Sequence, residues 1–168
     1  MKVKTILIGA VPIVAGFVLG MSAAKAEDGP RCYTLASLHG TYATVATYGA
    51  NVARALGVRH FDGNGNTSGT FTINEPDLAS TTGGRKIVTG TNVGTYTVNC
   101  DGTGVITRTV TSSTGVTTTQ TDDFVITQAR VQDDGVLLAT ALEDAVRSPS
   151  AIVPGGIFFT RSYTRRPD

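Results

Sequence analysis

Arg108 lies between Ile106 and Val110 on one face of an alternating run. Counting by twos, Glu143 shares a face with Leu137, Ala139 and Ala141. Charges on such faces, if the faces are interior, need partners, and these two could serve each other. An inward guanidinium–carboxylate pair is therefore a candidate ligand-binding site; strand ends that reach water are the alternative. His60 is a second candidate. Directed inward beside a carboxylate it would act as a general base, and otherwise it is a hydrogen-bonded structural histidine. Tyr42 and Tyr96 share the context Gly-Thr-Tyr. An inward ring there would line a cavity and offer a hydroxyl, whereas simple packing would turn the hydroxyl to the rim. Phe71 occupies the same place in a related hexapeptide and joins the candidate lining.

The motifs of nucleophilic and cofactor chemistry are not in the sequence. It contains no Gly-x-Ser-x-Gly elbow, no His-Glu-x-x-His pattern, no phosphate loop and no dinucleotide fingerprint. Catalytic residues are left unassigned, and no cofactor is expected. Asp62-Gly-Asn64-Gly-Asn66 places oxygen donors at alternate positions, as calcium loops do. An EF-hand would continue with glycine at the sixth position and an acid at the twelfth, where Thr67 and Ile73 stand. The stretch reads instead as a tight hairpin turn, with a looser surface calcium site as the alternative, and no metal is assigned.

Those side chains must be held by strands. The hexapeptide Gly-Thr-aromatic-Thr-apolar-Asn occurs at residues 69–74 (GTFTIN) and 94–99 (GTYTVN), and a partial copy, GTYATV, begins at Gly40. Alternation of apolar and small polar residues is the period of a half-buried strand. It predicts that Phe71, Ile73, Tyr96 and Val98 face the interior. Strands are expected over 41–48, 53–61, 67–74, 85–99, 103–111, 117–131, 136–143 and 157–164. Asp-Gly and Asn-Gly turns punctuate them. Eight strands joined mostly by short turns predict an all-β fold, an antiparallel up-and-down barrel whose closure removes exposed edges. A β-sandwich is the runner-up.

The ends of the chain set its expected destination. Lys2 and Lys4 precede a nearly unbroken apolar run from Ile6 to Met21, and Ala24-Lys25-Ala26 follows. This predicts a signal peptide over 1–26, with an uncleaved anchor as the alternative. A single domain is expected over 27–168, exported to the periplasm or secreted, with no stable membrane anchor after cleavage. Lys2, Lys4 and Lys25 leave with the signal, so 14 basic residues become 11 against 13 acidic, a charge of −2 with histidine neutral. The basic excess of a nucleic-acid binder is missing, and no nucleic-acid partner is expected. The two cysteines, Cys32 and Cys100, are read as one disulfide in an oxidising compartment. Neither has a Cys or His neighbour at ligand spacing, which disfavours a metal or catalytic role.

Three stretches carry a family resemblance: CYTLASLHGTY from Cys32, FDGNGNTSGT from Phe61, and GTYTVNCDGTG from Gly94. They resemble small exported bacterial proteins similar to the allene oxide cyclase-like barrels and, more loosely, to lipocalins. The resemblance covers most of residues 32–163 and implies a calycin-type barrel. No motif of the plant cyclases' catalytic residues can be placed in this sequence. The leading expectation is noncatalytic binding of a small apolar or amphipathic ligand. The alternatives are an isomerase or cyclase of that type, and a structural or surface-interaction module with a filled barrel.

Overall fold

Alternation along each strand gives a sheet with one apolar face, and that face is buried by curling the sheet on itself. The computed structural model describes residues 31–167; the expected signal peptide lies outside them. Eight antiparallel strands follow one another in order: β1 His39–Tyr48, β2 Ala53–Asp62, β3 Asn66–Pro76, β4 Arg85–Val98, β5 Thr103–Ser112, β6 Thr117–Val131, β7 Leu137–Val146 and β8 Phe159–Arg165. Each pairs with its neighbour, and β8 returns to β1, with Tyr42 opposite Arg165 and Tyr48 opposite Phe159. The sheet is a closed up-and-down barrel, which sets the sandwich alternative aside.

The two ends of the barrel are built differently. At one end a short 3-10 helix, Leu35–Ser37, lies against β4 and β7 and closes the interior. Leu38, Tyr42, Phe61, Tyr96, Ile106 and Leu142 pack beneath it, with Val98 at the cluster's edge. Phe61 meets the rings of Tyr42 and Tyr96 edge-on, with centroids 5.4 and 5.1 Å apart. A disulfide joins Cys32, ahead of the helix, to Cys100 in the β4–β5 turn. The Tyr33 amide donates to the Cys100 carbonyl over 3.1 Å. The closing segment is thus fastened covalently to the rim that it covers, in a bond that fits an oxidising, non-cytoplasmic environment.

At the other end a second apolar cluster includes Ala46, Tyr48, Ile73, Val88, Val146 and Phe159, with Phe71 partly buried against it. Tyr48 and Phe159 stack with centroids 4.2 Å apart. Between the two clusters the inward positions carry charge. Arg59 precedes Phe61 on β2, Asp144 lies between Leu142 and Val146 on β7, and Arg161 lies between Phe159 and Tyr163 on β8. The core is consequently a sandwich of two apolar layers around a buried polar belt.

Candidate functional site

The polar belt gathers side chains from β2, β4, β5, β6, β7 and β8. Arg59, Asn92, Arg108, Asp122, Asp144 and Arg161 are all buried. Arg108 donates from Nε to Asp122 over 2.8 Å and from Nη2 over 3.3 Å. Arg161 donates to Asp144 Oδ2 from Nε over 2.9 Å and from Nη2 over 2.7 Å. Its Nη2 also lies 2.6 Å from Asp122. The Tyr163 hydroxyl donates to Asp144 as well and accepts from Arg161 Nε over 2.9 Å. Burial pushes the Tyr163 phenol up, so it remains a proton donor at neutral pH. Burial also raises the Asp144 carboxyl; the Arg161 guanidinium opposes this and Asp122 adds to it.

Above this belt, toward the end away from the 3-10 helix, the interior is hollow. A cavity of about 400 Å³ is walled by apolar groups that include Ala46, Ala55, Phe71, Ile73 and Val88. Arg59, Asn92, Arg108 and Arg161 also line it, while residues 148–152 and Val116 border it from the connecting segments at that end. Tyr48 stands in the wall, its phenol pushed up to about 12 by burial. The chamber can therefore hold an apolar body with a polar group directed to the belt.

The sequence candidates divide between these parts. Phe71 lines the cavity. Arg108 is inward, on the face of Ile106 and Val110, and lines it too, but its partner is Asp122 rather than Glu143. Glu143 is exposed and turned outward. The β6–β7 register shifts between Ile126 and Gln128 and again between Gln128 and Ala129. After that irregularity the inward positions of β7 are Leu142, Asp144 and Val146, so counting by twos from Leu137 selects the wrong carboxylate. His60 is exposed as well; its neighbour Arg59 takes the interior.

Tyr42 and Tyr96 are inward but belong to the packed end. The Tyr42 hydroxyl donates to the Ala139 carbonyl over 2.7 Å. The Tyr96 hydroxyl shares its proton between the carbonyls of Leu35, at 3.0 Å, and Leu38, at 2.9 Å. Both phenols tie strands or the 3-10 helix in place, away from the cavity. Asp62 is occupied in its own turn, accepting from the amides of Asn64 (2.8 Å) and Asn66 (2.9 Å) and from Asn66 Nδ2 (2.7 Å). Among the described residues no group of three or more His, Cys, Asp and Glu gathers as a metal site.

Sequence reasoning missed Arg59, Asn92, Asp122, Asp144 and Arg161. For Arg59 a signal existed, because Ala53, Ala55 and Phe61 fix the odd positions of β2 as the inward ones. Fold and interior together define a class: a closed eight-stranded barrel, packed at one end and hollow at the other, an architecture consistent with ligand binding. No protein-family model, curated protein or solved structure matches the chain.

Proposed function

We propose that this is an exported barrel whose hollow end binds a small amphipathic molecule without transforming it. The cavity carries the reading: apolar walls, a polar floor, and a volume of about 400 Å³, at the lower part of the roughly 300–1,000 Å³ range of small-molecule sites. The chemistry of the lining supports binding over catalysis. His60 and Glu143, two sequence candidates for proton exchange, lie outside the barrel, and Glu75, a carboxylate in the cavity lining, is paired with Lys86 over 3.6 Å. Asp122 is held by Arg108 and Arg161, and Asp144 is held through Oδ2 by Arg161 and Tyr163, its Oδ1 being buried without a partner. Export is supported by the disulfide together with the leader-like residues 1–26.

Native mass spectrometry of the protein purified from its own host tests the proposal, paired with the variant Ala55→Phe. Ala55 lies in the cavity wall, so a phenyl ring there fills the chamber. The expected result is a retained small molecule on the wild type and none on a folded Ala55→Phe protein. A wild type that arrives bare and takes up no added amphipath, or a variant that retains the guest undiminished, would overturn the cavity as the binding site.

A further inference from the structure

Three arginines and two aspartates share the belt, and the partnerships leave one cation over. Asp122 and Asp144 are engaged by Arg108 and Arg161. Arg59 is 3% exposed and lines the same cavity. Its Nε and Nη1 find no hydrogen-bond partner in the protein, and among the described residues it has no carboxylate in contact. The Tyr163 ring lies beneath its guanidinium, at 5.8 Å, which supplies a π-face but no acceptor oxygen. Burial lowers Arg59 to about 10, so the side chain stays charged at neutral pH.

Asn92 lies close to this arginine. Arg59 on β2 is registered with Gly69 on β3, and Gly69 with Asn92 on β4. Gly69 has no side chain to separate them; a Cβ there would lie 3.2 Å from Arg59 Cα and 3.3 Å from Asn92 Oδ1. The Asn92 Oδ1 is also buried without a partner. Buried guanidinium donors and a buried amide oxygen without partners in the protein are each costly. For the guanidinium that cost is relieved when a guest brings the missing acceptor, because charge-assisted hydrogen bonds are the stronger kind, whereas Asn92 Oδ1, itself an acceptor, calls for a donor.

The geometry points to an oxyanion site: the unpartnered Arg59 donors receive the anionic head of an amphipath whose apolar body lies along Ala55, Phe71, Ile73 and Val88. This rests on the hollow end being the amphipath site and adds the charge of its guest. A carboxylate and a phosphate monoester share the required chemistry.

Calorimetric titration of the purified protein with laurate, lauryl phosphate and dodecanol separates these possibilities. At least one of the two anions should bind about tenfold or more tightly than dodecanol, the worth of a charge-assisted hydrogen bond. The tighter anion identifies the head as carboxylate or phosphate. Arg59→Met should abolish the preference, and Arg59→Lys should retain part of it. Dodecanol binding as tightly as both anions, or a preference that survives in Arg59→Met, would overturn the oxyanion site while leaving an amphipath cavity. Failure of all three to bind the wild type would remove the underlying reading as well. Should Arg59→Met not fold, Arg59→Lys carries the comparison, since Arg108 and Arg161 line the same cavity and an anion preference undiminished in Arg59→Lys would overturn the role of Arg59.

Discussion

Gly94 stands directly across the β4–β5 pairing from Arg108, at a point where the two strands approach too closely for any side chain. A Cβ at Gly94 would lie 2.1 Å from the Thr107 carbonyl oxygen and 2.6 Å from Arg108 Cα. Gly69 stands in the same relation to Arg59 across β2–β3, where its Cβ would lie 2.4 Å from the Val58 carbonyl oxygen. These glycines open the GTFTIN and GTYTVN segments. The repeat thus does more than mark strands. Its first residue is an inward gap beside a buried arginine, and the aromatic two positions later returns the face to apolar packing.

Gly94→Ala should therefore destabilise the barrel by about 1–3 kcal/mol, the usual cost of overpacking. The obstructing atoms are backbone, so no side-chain rotation relieves them. The check is the midpoint of urea unfolding. A loss below about 0.5 kcal/mol, the level of an ordinary surface change, would mean that the strands separate there without cost.

Asp122→Asn should be worse, and should differ in sign from a change at Arg59. Asp122 is fully buried and contacts both Arg108 and Arg161. Removing its charge leaves two guanidinium groups with a single carboxylate between them, and breaking a buried pair typically costs about 3–5 kcal/mol. Arg59→Met removes a charge that has no carboxylate partner, so the unliganded protein should be as stable as the wild type or more so. Urea unfolding of both variants without ligand checks the contrast. Equal destabilisation would mean that the belt does not act as a set of specific pairs.

The strands were legible because each face repeats at a period of two and each short turn carries its own glycine signal. The expected span 117–131 is the observed β6, Thr117–Val131, and the other strands differ only near their ends. The polar belt was less legible for two physical reasons. Alternation fails where a ladder slips, as it does opposite Gln128, and one slipped residue exchanges Glu143 for Asp144. The belt also joins Arg59 of β2 with residues of β7 and β8, strands distant in sequence that meet only when the barrel closes. A charge on an apolar face shows in the sequence; the identity of its partner does not.

Acid should unfold the protein partly through the Asp62 turn. Hydrogen bonds from Asn66 and Asn64 lower its carboxyl from 3.8 to about 2. As pH falls the unfolded chain takes up this proton first, so the stabilisation is full above about pH 4 and is lost as pH falls through 2. Asp101 and Asp123 are lowered in the same direction, by Thr103 and by Arg147. Asp62→Ala should consequently show a shallower, though not flat, decline of stability between pH 4 and 2. Melting temperatures across that range supply the measurement, and an unchanged slope would contradict the role of the turn.

The disulfide tests whether the packed and hollow ends are energetically separate. Cys32 and Cys100 lie 68 residues apart in sequence, and closing a loop of that size restricts the unfolded chain by about 4 kcal/mol in the entropy model. The bond also holds the segment that carries Leu35 and Leu38, whose carbonyls receive the Tyr96 hydroxyl. The cavity lining, by contrast, draws nothing from residues 31–43. Cys32→Ser with Cys100→Ser should lower stability by about 2–4 kcal/mol. It should leave amphipath affinity unchanged wherever the protein is still folded. Titration well below the lowered melting temperature distinguishes the two effects. A loss of affinity under native conditions would show that the closing helix shapes the chamber through the polar belt, and that the barrel works as one unit rather than as a packed base carrying a site.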